Sequence, residues 1–136
     1  MIQYPAKVLL AFGEAIKGNE KIEAWLMENG FSELIAFKYA IANDKRAKNW
    51  LMKNKFPHWL ACSEFIDDDQ KAGKWLEEHN YDVLIRLAQL SRKNKTAELW
   101  LQHHGHREFI YLGNLLAAYI DQIEFDMGDV HRSPFS

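Results

Sequence analysis

The chain has 136 residues, 48% of them apolar and 26% charged, with a formal net charge of −2. That length gives one domain with its own core, and the composition excludes a disordered or fibrous chain. The small negative charge offers no global attraction to nucleic acid or anionic lipid. The lone Cys62, set in the apolar run HWLACSEFI, cannot form an internal disulfide, so a packing role and a reducing, cytoplasmic setting are expected.

The first residues, MIQYPAKVLL, lack the charged start, long apolar run and small-residue cleavage site of an export signal. No stretch approaches the roughly 18 apolar residues of a membrane span, so no membrane partner is expected. A helix is predicted near residues 5–17. After it, Asn19, Asp44, Asp69 and Asn94 stand 25 residues apart, each placed to accept from the orphan N–H groups of a following helix.

That following helix carries Trp25, Trp50, Trp75 or Trp100, each followed by Leu (Leu26, Leu51, Leu76, Leu101) and preceded three places earlier by Ile22, Ala47, Ala72 or Ala97. The i, i+3, i+4 stripe is the narrow apolar face of an amphipathic helix. Six residues after each Trp comes Phe31, Phe56, Tyr81 or His106, preceded by Gly30, Lys55, Asn80 or Gly105. This predicts a left-handed C-terminal cap with an apolar residue folding back.

A second helix of about eleven residues follows in each unit. Its columns are Leu9, Leu34, Trp59, Leu84, Phe109; Leu10, Ile35, Leu60, Ile85, Ile110; and Phe12, Phe37, Cys62, Leu87, Leu112. Apolar over more than half its circumference, it is expected to lie between layers. Ser32 and Asp82 stand where its N-cap belongs, and Pro57 suits its first turn.

Helices this short are marginal alone in water, so each hairpin must bury its stripe on the next. The fold class expected is all-α, an α/α solenoid of about five stacked helical hairpins forming an ankyrin/HEAT-like superhelix. Units fall near 1–19, 20–44, 45–69, 70–94 and 95–125 of a single domain, with a tail at 126–136. At about 8–10 Å per layer, the stack would be a slightly curved rod about 45 Å long. The last helix runs to about Phe125, past the usual turn, and can cap the stack or dock on a second copy in a homodimer. The tail DMGDVHRSPFS is expected to fray.

The stretch ANDKRAKNWLMKNKF resembles the second helix of an ankyrin repeat: an Asn/Asp turn, a helix with paired large apolar residues near its end, then a capping residue. GNEKIEAWLMENGF is similar. The Thr-Pro-Leu-His start of that family's first helix is missing, and 25 residues leave no room for its β-hairpin. The resemblance implies a stripped, all-helical relative, and with it a non-enzymatic scaffold for a protein or peptide.

Chemistry-bearing clusters are few. His103, His104 and His106 can be read as a metal site, or His104 as one rung of a polar ladder with Asn29, Asn54 and His79 near the helix ends. Asp67, Asp68 and Asp69 fall at a turn, where Asp69 matches the capping column. No glycine-rich phosphate loop and no nucleophile with an ordered base is visible, so neither catalytic residues nor a cofactor are assigned.

Two surfaces remain. The outward columns of the second helices hold Ala11, Ala36, Ala61, Arg86, Tyr111 and Glu14, Tyr39, Glu64, Gln89, Asn114. A shallow partner-binding groove at Tyr39, Glu64, Arg86, Gln89, Tyr111 and Asn114 is one reading, since Tyr and Arg are enriched at hot spots; alanines placed only for close packing are the other. The alternative function is nucleic-acid binding along an edge of Lys21, Lys45, Arg46, Lys71 and Lys95 at successive helix starts, interrupted by Glu20, Glu23, Asp44 and Asp69.

Overall fold

The computed structural model describes residues 3–126 and 134–135. Among them are nine α-helices and no strand: α1 Ala6–Ile16, α2 Glu20–Glu28, α3 Ser32–Ile41, α4 Lys45–Lys53, α5 Pro57–Ile66, α6 Gln70–Glu78, α7 Asp82–Ser91, α8 Lys95–His103 and α9 Arg107–Phe125. The helix starts at Glu20, Lys45, Gln70 and Lys95, and at Ser32, Pro57, Asp82 and Arg107, recur every 25 residues. None of the described helices is long and apolar enough to cross a membrane.

The turns follow from local chemistry. Asn19, Asp44, Asp69 and Asn94 cap α2, α4, α6 and α8, their side chains accepting from the N–H of Ile22, Arg46, Lys71 and Ala72, and Thr96 and Ala97. Gly30, Lys55, Asn80 and Gly105 adopt positive φ as expected, between 63° and 89°. A second left-handed column, Gly18, Asn43, Asp68 and Lys93, ends the other helices. Ser32 and Asp82 are not caps: they are the first helical residues of α3 and α7. The cap position is held by Phe31 and Tyr81, whose N–H groups donate to Leu26 O and Leu76 O to close the preceding turn.

The odd-numbered helices pack in succession, α1 on α3, α3 on α5, α5 on α7 and α7 on α9, and each even-numbered helix packs against the odd ones before and after it. The expected open rod does not form, because α9 also packs against α1 and so brings the two ends together. At that joint Tyr111 lies so close over Gly13 that a Cβ would collide with its ring. The end faces of a rod would stay wet, whereas α1 and α9 cover each other.

Buried residues from all nine helices form one continuous cluster. Phe12, Phe37 and Trp59 are its largest fully buried members, with the Phe37 and Trp59 rings 4.7 Å apart. In the Trp-Leu pairs the leucine is the core residue: Leu26, Leu51, Leu76 and Leu101 are fully buried, while Trp25 is 37% exposed and Trp50, Trp75 and Trp100 are half-buried. The indoles instead stack on the aromatic residue six places on, parallel within 12° at 5.9–6.0 Å for Phe56, Tyr81 and His106. Their recurrence therefore reflects interlocked flanks more than shelter in the core.

α9 continues through Ala118 and Tyr119, where the other second helices have ended, and its extension lies on its own chain. Ile120 is buried, Tyr119 donates to Lys38 O at 3.1 Å, and Arg92–Glu124 and Lys93–Asp121 pairs hold its outer side. The expectation of fraying falls on residues 127–133 and 136, outside the described residues; Phe135, which is described, packs against the body of the fold.

Lys55 holds φ 67° with no hydrogen bond or ion pair of its side chain among the described residues. A left-handed L-residue costs about 1–2 kcal/mol, and glycine's extra freedom when unfolded returns about half of that. Lys55→Gly is expected to raise stability by about 0.5–1 kcal/mol, and Gly30→Ala to lower it by about 1, read as shifts of the urea midpoint.

Candidate functional site

Of the six residues read from the sequence as one groove, Arg86 and Gln89 are the two that bond to each other among the described residues. Tyr39 Oη donates to Glu23 Oε1 at 2.9 Å. The Arg86 guanidinium lies 5.2 Å from the Trp100 ring centroid and donates from Nη1 to Gln89 Oε1 at 3.2 Å. Tyr111 is in the α1–α9 joint, with Lys17 Nζ 5.8 Å from its ring. Asn114 Nδ2 donates to Glu98 Oε1 at 3.5 Å, and the half-buried Glu64 has no hydrogen bond or ion pair of its side chain among the described residues. Tyr39 and Asn114 each face the preceding even-numbered helix, so this column lines crevices within hairpins.

At Tyr39 a cluster gathers that the column pattern did not reveal. Lys38 occupies a column otherwise filled by Gly13, Ser63, Ala88 and Gly113, and is buried there. Its ammonium donates to Ala15 O at 3.0 Å near the C-terminus of α1 and to Glu23 Oε2 at 3.1 Å, and faces the rings of Tyr39 and Tyr119 at 5.2 and 5.8 Å. Tyr39, Tyr119, Lys38 and Glu23 line a cavity of about 230 Å³ beside the α9 extension. Burial pushes both phenols well above the usual tyrosine range, with Glu23 adding to the effect, so they remain protonated donors. With two acceptors and two ring faces about the ammonium, the cluster ties α1, α2, α3 and α9 together.

The outward side of Tyr39 is an aromatic seat. Phe135 stands edge-on to Tyr39 with centroids 6.4 Å apart and tilted over Trp50 at 5.5 Å, while Trp50 stacks on Phe56 at 5.9 Å. The 25-residue correspondence explains the room: the position of Arg86, which covers Trp100, is occupied at Trp50 by Ala36. A methyl group leaves the Trp50 face open, and an aromatic side chain from the tail fills it. Next to the seat, the Asp44 N–H donates to Tyr39 O, while Asp44 Oδ2 is buried with no hydrogen-bond partner among the described residues.

The histidines behave as the polar ladder. Asn29 and Asn54 donate to Trp25 O and Trp50 O, and His79 and His104 Nδ1 lie 2.8 Å from Trp75 O and Trp100 O. Because a carbonyl only accepts, Nδ1 of both imidazoles carries the proton. Both rings stack on their indoles at 4.0 and 3.9 Å. His106 packs on Trp100 and Phe109, and among the described residues no group of three His, Cys, Asp or Glu is placed to hold a metal. Cys62 is fully buried, which pushes its thiol above the usual range and away from nucleophilic chemistry.

Lys21, Lys45, Arg46, Lys71 and Lys95 are all exposed at helix starts. Two of the carboxylates expected to interrupt them, Asp44 and Asp69, turn onto backbone N–H groups, and Glu23 is engaged by Lys38. Protein-family models, curated proteins and solved structures offer no match to this chain.

Two outcomes follow. Removing one member of a buried ion pair costs about 3–5 kcal/mol because the other is left uncompensated. With side chains 9% and 12% exposed, Lys38 and Glu23 form such a pair. Lys38→Ala is expected to lose about that much in urea unfolding, and Lys38→Met with Glu23→Gln to recover most of it. His58, stacked on Tyr81 at 5.0 Å, is held below the usual imidazole range by burial. The unfolded chain then binds the proton more readily, so this stability is complete above the unfolded pKa and is lost as pH falls through the folded one. The urea midpoint of His58→Phe should decline less than that of the wild type between about pH 7 and pH 5.

Proposed function

We propose that the chain is a non-enzymatic protein-interaction module, an ankyrin-like helical-hairpin solenoid whose ends meet, and that it receives an aromatic side chain of a peptide between Tyr39 and Trp50. The observation that carries this reading is the seating of Phe135, a residue from outside the helices, on those two rings. Such a side chain brings a large apolar payload and edge-to-face ring contacts worth about 0.5–1.5 kcal/mol beyond burial.

Support also comes from Asp44 Oδ2. A buried acceptor without a donor costs about 1–3 kcal/mol, and a backbone N–H from an incoming peptide would remove that cost. Of the surface first read as a groove, Tyr39 becomes the centre, while Arg86 and Tyr111 belong to contacts within the fold. Binding of nucleic acid along the exposed lysines is the second reading, favoured by the cations at successive helix starts.

In the free chain Phe135 competes for the seat. A fluorescein-labelled peptide of residues 126–136 is expected to bind Phe135→Ala at least about tenfold more tightly than the wild type in anisotropy titrations, since an occupied site lowers apparent affinity. Tyr39→Ala with Trp50→Ala, placed in the Phe135→Ala chain, should abolish that binding while the circular dichroism of the fold is kept. Equal weak binding to all three proteins would remove the seat as a receptor.

A further inference from the structure

The seat lies on the most one-sided charge in the molecule. Between Lys45 and Ser63 there are five cations, Lys45, Arg46, Lys48, Lys53 and Lys55, and no carboxylate. Trp50 is in the middle of this run, on α4. By contrast α2 carries Glu20, Glu23 and Glu28, α6 carries Glu77 and Glu78, and α8 carries Glu98. Lys45, Arg46, Lys53 and Lys55 are exposed, and none of them has an ion-pair partner among the described residues. Only Lys48 is engaged, donating to Asn43 Oδ1 at 2.7 Å.

The segment that delivers Phe135 has the opposite character. Between the end of α9 and Phe135 stand Asp126 and Asp129 against the single full cation Arg132, with His131 beside it, while Asp121 and Glu124 on α9 are already paired with Lys93 and Arg92. A slightly acidic segment with an aromatic residue is thus what this protein itself offers to the seat. The exposed cations would steer such a chain to the site, and the rings would hold it there, the usual division between electrostatic on-rate and buried anchor.

Resting on the peptide-binding reading above, we infer that the partner is an acidic peptide carrying a single aromatic anchor, which displaces Phe135 from Tyr39 and Trp50 while its carboxylates lie along Lys45, Arg46, Lys53 and Lys55. Phe135 is itself a peptide side chain, and this favours a peptide over a nucleic acid, whose bases would need several open ring faces in series. Trp75 and Trp100 already carry His79 and His104 on their rings.

The test uses full-length Phe135→Ala and three labelled eleven-residue peptides: a Pro-Phe pair flanked by Asp and Glu, the same pair flanked by Lys, and the acidic peptide with Ala for Phe. The acidic Phe peptide is expected to bind at least about tenfold more tightly than either of the others, and to weaken severalfold between about 50 and 500 mM salt as exposed charges are screened. Lys53→Glu with Lys55→Glu should bring the affinities of the two Phe peptides to within about threefold of each other without altering the thermal midpoint by more than a few degrees. Equal binding of acidic and basic Phe peptides overturns the charge assignment and leaves the aromatic seat standing. Binding of the acidic Ala peptide as tightly as the Phe peptide overturns the anchor. Failure of every Phe peptide removes both this inference and the reading beneath it. A single-stranded oligonucleotide that binds more tightly than the acidic Phe peptide, and equally well to Tyr39→Ala, overturns it in favour of a phosphate-binding edge.

Discussion

A helix of nine to eleven residues makes too few internal hydrogen bonds to persist in water. Eight of the nine helices here are that short, so each depends on the faces its neighbours offer. That constraint explains the order of the chain, in which each even-numbered helix packs against the odd-numbered helices before and after it. It also explains closure. A stack that stopped would leave one face of α1 and one of α9 open to solvent; in this chain the two helices pack against each other, with Tyr111 over Gly13.

Closure brings with it one unusual cation. At the end of α1 the Gly13, Glu14 and Ala15 carbonyls accept from the N–H groups of Lys17, Asn19 and Gly18, and no basic side chain stands in its own last turn to face its partial negative charge. Lys38 answers this from α3, donating to Ala15 O and holding Glu23, which in turn accepts from Tyr39. Tyr119 then reaches back from α9 to Lys38 O. A single buried ammonium, held by groups from three other helices, thus fixes the corner where the first and last helices meet, and fixes the Tyr39 ring whose other side receives Phe135.

Identical scaffolding makes small departures informative. Arg86 over Trp100, His58 against Tyr81 and Phe135 over Trp50 are three different ways of covering a ring near the outer flank, and only the last uses a residue from outside the helices. Where the repeating position holds Ala36 rather than Arg86, Phe135 covers the Trp50 ring instead. Charge follows the same logic: α4 alone among the even-numbered helices carries cations and no carboxylate.

Periodicity alone determined the helices, the caps of the even-numbered ones and most of the core. Asn19, Asp44, Asp69 and Asn94 act through their own neighbours, Gly30 and Asn80 suit the left-handed turn, and columns such as Phe12, Phe37, Cys62, Leu87 and Leu112 bury as a set, all consequences of interactions within about one turn or one repeat. The second left-handed column was readable in Gly18, Asn43 and Asp68 but masked by Lys93. What the tertiary structure decided is how residues far apart in sequence meet: Gly13 beneath Tyr111, Lys38 beside Tyr119, and Phe135 on Tyr39 and Trp50. The reason is physical. A repeat specifies the step from one layer to the next, but small rotations add over five odd-numbered helices, and whether the sum leaves a rod or brings the ends together is set by packing angles that no single unit encodes.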